Sequence, residues 1–170
     1  MKRFLLAGIV LFGTSCASIP KKANSIKSFD YNRYLGKWYE IARFDFVFER
    51  NLNNTTAEYS LNKDGSIRVE NSGYNYIKHK WEKAVGKAKF RGLSSVAELE
   101  VSFFGPFYSA YNVIMIDEEY KYALVAGKNF NYLWILSRYT TIPEDIKNNF
   151  LNEANRIGYD TNNLIWVEQK

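Results

Sequence analysis

The chain has 170 residues, 46% of them hydrophobic, enough for one well-buried core and too few for two ordinary domains. Aromatic residues reach 17%, with 13 Tyr, 12 Phe and 4 Trp, a composition that favours pleated, half-buried surfaces and large contacts with apolar ligands. The net charge of +5 includes Lys2 and Arg3, and the remaining cations are interspersed with acids, as in Lys80-Trp81-Glu82-Lys83; nucleic acid is therefore not an expected partner.

The N-terminus has the form of a secretory signal: basic Met1-Lys2-Arg3, an apolar run from Phe4 to Phe12, then the small residues Gly13-Thr14-Ser15. The apolar run is about half of the ~20 residues a spanning helix needs. Cys16 follows at the cleavage point, where it resembles the lipid-modified first residue of a mature bacterial lipoprotein; an ordinary cut after Ala17 is the alternative. The preferred division is a removed signal at 1–15, a lipid-anchored tether at 16–28 and one folded domain at 29–170. Cys16 is the sole cysteine, so no intrachain disulfide or cysteine-rich metal site is available. Residues 17–28 are polar and without period, as in a flexible linker.

From Trp38 onward, short runs with two-residue alternation are separated by turn chemistry. They predict strands at 38–44, 55–61, 66–71, 80–90, 97–103, 110–116, 122–126 and 132–137. Asn62-Lys63-Asp64-Gly65 marks a hairpin, since Asp-Gly supplies the positive φ of a tight turn. Eight evenly spaced strands without intervening helices predict an all-β, antiparallel up-and-down barrel, which leaves no open edge and encloses room for one small ligand. Near the end, Thr141 and Glu144 have capping-box spacing and Pro143 suits a first helical turn. Ile146, Phe150, Ala154 and Ile157 then recur on one helical face, giving a C-terminal helix packed outside the barrel and stopped by Gly158. Residues 164–167 read as a final short strand.

The stretch Tyr34-Leu35-Gly36-Lys37-Trp38-Tyr39-Glu40-Ile41-Ala42-Arg43 resembles the first signature of the lipocalins. Asp117 with Tyr122-Ala123-Leu124 resembles the second, and Arg138 closing Leu133-Trp134-Ile135-Leu136-Ser137 resembles the third. Phe48-Glu49-Arg50, Phe103-Phe104-Gly105-Pro106-Phe107-Tyr108, Tyr111-Asn112-Val113-Ile114 and Ile165-Trp166-Val167 are similar to the bacterial outer-membrane branch of that family, which also includes apolipoprotein D. One residue more than usual separates Asp117 from Tyr122.

The resemblance implies a calyx that binds a lipophilic molecule, with Gly36, Trp38 and Arg138 closing its floor. An Arg138 guanidinium stacked on the Trp38 indole and donating to backbone carbonyls fits that role. If both point inward, strand parity turns Tyr132, Trp134 and Leu136 inward too. On the other strands it selects Tyr59, Val69, Leu99, Val101, Phe103, Tyr111, Val113 and Val125, provided that no bulge shifts the register. The three Phe of Phe44-Asp45-Phe46-Val47-Phe48 are expected at the entrance.

The expected ligand is a fatty acid, lysophospholipid or similar amphiphile, carried or stored in the cell envelope, and a lipid on Cys16 would attach the chain to the membrane. Ala17 in place of an inner-membrane retention Asp favours the outer membrane. No cofactor, metal spacing, Gly-rich phosphate loop or Ser-His-Asp motif is present, and the single histidine, His79, reads as a surface residue. Catalysis is therefore not expected. Two alternatives stay open: a lipocalin-fold enzyme acting on a lipid or isoprenoid with Glu40 or a pocket Tyr as acid or base, and an envelope interaction protein with a filled barrel.

Overall fold

The computed structural model describes residues 19–170; Cys16 and the signal segment lie outside the described residues. In chain order come α1 (Tyr31–Tyr34), β1 (Gly36–Arg43), β2 (Leu52–Leu61), β3 (Ile67–Asn75), β4 (Lys80–Phe90), β5 (Glu98–Phe104), β6 (Phe107–Ile116), β7 (Tyr122–Gly127), β8 (Leu133–Ser137), α2 (Glu144–Ile157) and β9 (Ile165–Trp166). Strands β2 to β8 pair with their sequence neighbours, and β1 closes the circle by pairing with both β2 and β8. The result is a closed eight-stranded antiparallel barrel, with β9 outside it on the far end of β1 through Ala42↔Trp166 and Arg43↔Ile165.

Two apolar clusters occupy opposite sides of the wall. The inner one gathers Phe29, Tyr34, Trp38, Val113, Ala123, Val125 and Leu136 at the closed end. The outer one joins Ile41, Ala42, Leu124, Ala126, Leu133 and Ile135 to Phe150, Ala154 and Ile157 of α2, with Ile146 partly buried beside them. The helical stripe thus packs on the outside of β7, β8 and β1. Gly158 ends α2 at φ 119°, its amide donating to Ala154 and Asn155 carbonyls, a left-handed cap that glycine adopts without a Cβ penalty.

The expected capping box does not form. Pro143 is the N-cap, without a side-chain hydrogen bond, and the Thr141 carbonyl instead accepts from the Ser137 hydroxyl at 2.9 Å. Pro143 fixes an extended approach to the helix, which keeps Thr141 out of the cap position. The short α1 was not anticipated, since four residues carry no helical period.

The Asp-Gly hairpin forms as expected: Gly65 has φ 80°, and the Asn62 amide donates to the Ser66 carbonyl. Strands β2 and β3 are longer than the predicted runs. Their extra residues, Leu52, Asn53 and Asn54 in β2 and Ser72, Gly73, Tyr74 and Asn75 in β3, are mostly polar or Gly and obscure alternation, yet β3 pairs with β4 from Ile67↔Ala88 to Asn75↔Lys80. By contrast, β4 pairs with β5 only from Lys87↔Ser102 to Phe90↔Leu99. The tip of the β3–β4 hairpin therefore projects past its β5 neighbour.

The described part of the expected tether is packed. The Ile26 amide donates to the Val113 carbonyl at 3.0 Å, the Ala97 amide donates to the Ile26 carbonyl at 2.8 Å, and Ala23 is buried. Its scattered apolar residues, Ile19, Ala23, Ile26 and Phe29, join both clusters, so residues 19–28 form a strap along the barrel.

Candidate functional site

The floor is built around one indole. Trp38 is fully buried and its Nε1–H donates to the Tyr34 carbonyl at 2.8 Å. The Arg138 guanidinium lies 3.9 Å from the indole centroid, donating to the carbonyls of Lys37, Arg33, Tyr34 and Leu35 at 2.7 to 3.1 Å. Gly36, at φ 91°, would bring a Cβ to 3.4 Å from Arg138 Nη1. These three residues occupy the expected positions. Asp117 supplies the neighbouring turn: its Oδ1 accepts from the Lys121 and Tyr122 amides, and the added residue is absorbed by Tyr120 at φ 57°.

Above this floor is a cavity of about 350 Å³, within the range of sites that take small molecules. From β3 to β5 the lower wall is hydrocarbon, formed by Ile67, Val69, Ala88, Leu99 and Val101, while Asn71, Ser72, Glu82 and Lys83 line it nearer the mouth; the other side carries polar groups from Glu40, Glu49, Thr55, Tyr59 and Trp134. Of the residues selected by parity, Tyr59, Val69, Leu99, Val101, Phe103, Tyr111, Tyr132, Trp134 and Leu136 line the cavity. Val113 and Val125 do not. Both are fully buried in the inner cluster with Trp38, facing inward but below the space, because the floor side chains fill that level of the barrel.

Bulges explain what parity missed. Between β1 and β8 the register runs Glu40↔Leu136, then Ala42↔Ile135 and Arg43↔Trp134, with Ile41 extra. A bulge reverses the alternation beyond it, so Ile41 and Ala42 face the outer cluster and Arg43 turns back inward. Arg43 is 2% exposed and donates to Glu40 at 2.5 Å, and to the Glu49 and Leu52 carbonyls at 2.6 and 3.0 Å. The Thr55 hydroxyl donates to the same Glu40 oxygen at 3.2 Å, and the Trp134 indole donates to Glu49 at 3.1 Å. Arg43 thus pairs directly with the Glu40 carboxylate, while the Glu49 carboxylate lies close enough for the same cation to act on it through space. Burial and the nearby Glu49 charge push the Glu40 carboxyl up to about 8 despite Arg43, and burial also raises Glu49.

A second polar group lies deeper. The Tyr111 hydroxyl is 2.6 Å from that of Tyr34 and 2.7 Å from that of Tyr59. Three hydroxyls carry three donor hydrogens and these two bonds use two, so the trio retains donor capacity. Burial, the leading cause, holds all three phenols above their ordinary range, so they stay protonated. Tyr34 was outside the expected site because it precedes the first strand; its place follows from α1, which turns it under the barrel.

At the mouth, Phe46 and Phe48 line the entrance, with Phe46 5.3 Å from Tyr132 and Phe48 5.3 Å from Phe104 between ring centroids. Phe44 is a correction: it is buried outside the barrel, 5.9 Å from Tyr159, since the β1 bulge has already reversed its direction. His79 is exposed in the β3–β4 turn. Among the described residues, no group of His, Cys, Asp and Glu is placed to hold a metal ion.

The profile of the Lipocalin-like domain matches residues 29–169. The chain is 52% identical over 163 residues to the outer membrane lipoprotein Blc of Citrobacter freundii, covering 96% of this chain and 92% of that protein. It is 34% identical over 137 residues to apolipoprotein D of Rattus norvegicus, covering 76% and 69%. Among solved structures, apocrustacyanin C1 superposes with a TM-score of 0.70 at 19% identity, covering 89% and 91%, and insecticyanin from Manduca sexta with 0.71 at 18% identity, covering 87% and 85%. A Trp38–Arg138 floor under a ligand-sized cavity, within a barrel that the profile spans almost end to end, makes this chain a member of the lipocalin family.

Proposed function

We propose that this lipocalin binds one fatty acid, lysophospholipid or similar amphiphile without covalent attachment, and carries or stores it at the outer membrane, attached there through a lipid on Cys16. The observation that carries the reading is the two-sided cavity. Hydrocarbon on the lower β3–β5 wall removes an acyl chain from water, and the hydroxyl, indole and carboxyl groups opposite it, with Asn71, Glu82 and Lys83 nearer the mouth, offer a polar head a few hydrogen bonds. The location follows the name of the Citrobacter freundii relative.

Native mass spectrometry of the chain, purified from its host and again after delipidation, tests this. The expected result is one removable adduct of lipid mass per chain that is restored by adding lysophospholipid. A chain that neither carries nor takes up such an adduct, with the barrel intact by circular dichroism, is the filled-barrel protein instead. The enzyme reading is less well supported, because Glu40 is committed to Arg43 and Thr55.

A further inference from the structure

We propose that the open end of the barrel is a membrane-docking face that seats the cavity mouth directly on an anionic bilayer surface. The observation is a group of six apolar side chains left in water around that end, against Leu61, Leu93 and Tyr139 at the floor end. Phe107 is 80% exposed, Val47 and Ile77 63%, Phe104 62%, Phe48 61% and Phe130 50%. They come from all four loops around the mouth: 44–51, 76–79, 104–107 and 128–132. Neighbouring loops meet: the Phe48 and Phe104 rings are 5.3 Å apart, Phe104 pairs with Phe107 across the hairpin, and the Tyr76 amide donates to the Asn51 carbonyl at 3.1 Å, bringing the 76–79 loop beside 44–51. A contiguous exposed apolar patch of this kind marks an interaction surface.

Two features select a bilayer as the occupant. First, the charge beside the mouth suits an anionic headgroup layer: Lys80 and Lys128 are exposed on these loops or the adjoining strand end, with Lys128 over the Tyr132 ring, and Lys78 is exposed and paired with Glu82; such cations add attraction to anionic lipid. Second, the described chain begins beside this end. The Lys22 carbonyl lies 3.5 Å from Arg156 Nη2 in the last turn of α2, and Phe130 of the mouth packs near Gly158 and Tyr159 just beyond that turn. Cys16 precedes Ile19 by three residues, which reach at most about 11 Å. A lipid at Cys16 would hold the mouth, and not the floor, against the membrane. The docking face does not depend on which ligand occupies the cavity, so either reading can fail alone.

Hydrogen–deuterium exchange of the full chain, with and without vesicles of phosphatidylcholine and phosphatidylglycerol, tests the proposal. Vesicles are expected to slow exchange about tenfold in the loops 44–51, 104–107 and 128–132, while the floor loops 91–97 and 117–121 stay unchanged. Val47→Asp with Ile77→Asp, at exposed positions outside the cavity wall, should abolish that slowing; unchanged exchange in the strands checks that the variant is folded. Protection at the floor, or at neither end, overturns the proposal. So does mouth protection that is present without vesicles and grows with protein concentration, which would mean that a second copy covers the face. The lipid-mass adduct measured above reports on the cavity independently.

Discussion

Arg138 joins side chain and backbone in a way no other cation can copy. A planar guanidinium covers the Trp38 face and still serves carbonyls from Arg33 to Lys37, whereas a lysine ammonium offers one compact charge. Arg138→Lys is therefore expected to recover little of the loss in Arg138→Ala, which should reach about 3 kcal/mol in urea unfolding, the range for hydrogen bonds to a charged group with a cation–π contact. Glu40 behaves differently. Its carboxyl titrates near 8 when folded against 4.5 as the ordinary value. A folded pKa above the unfolded one gives stability that is present below about 4.5 and is lost as pH rises through about 8. Glu40→Gln resembles the protonated form, so it should match the parent near pH 5 and exceed it by a few kcal/mol above pH 8. Thermal melts across that interval check this; a variant that is strongly destabilised at pH 5 would show that the ionised pair with Arg43 is what the fold requires.

At the scale of elements, α2 is a cover for the outer cluster and contributes nothing to the cavity wall. Phe150→Ala, at a 3% exposed site between helix and barrel, should cost about 3–5 kcal/mol in urea unfolding yet leave ligand affinity in the folded protein nearly unchanged. This division also shows what the sequence made legible. Strand β4 and the apolar stripe of α2 were readable because their patterns are local and the element obeys one period throughout. The Trp38–Arg138 floor was readable from motifs at three separated places. The direction of Arg43 and Phe44 was not, because a bulge at Ile41 is set by how β1 must serve β2 on one half and β8 on the other. Likewise, period alone separates inside from outside but not cavity from floor, so Val113 and Val125 shared a pattern with Val69 and Leu99 while sitting at another height. Polar members such as Thr55 and Glu49 carried no apolar period to detect.

For the whole molecule, the inner and outer clusters divide the labour: packing under and outside the barrel stabilises the wall, which frees the upper interior from filling itself. Affinity should then follow burial of the ligand's own hydrocarbon. At roughly 0.8 kcal/mol per methylene, each added carbon should tighten binding about fourfold until the space of about 350 Å³ is full, after which the gain should stop. A series of lysophospholipids of increasing chain length in isothermal titration would reveal the slope and the break; a flat series would place recognition in the headgroup instead.

The unequal pairing of β4 bears on how anything gets in. Bound to β3 along its length but to β5 only from Lys87 to Phe90, β4 is a stave taller than the one beside it in the cask. Its lower end is fastened and its upper end, with Glu82, Lys83 and Ala84 at the cavity edge, is joined on one side only. Because β3 is itself paired to β2 up to Leu52↔Asn75, that stave stands fixed and the rim beside β5 is uneven, so the interior is reached from above and from that side with the hydrogen bonds around the base and the floor in place.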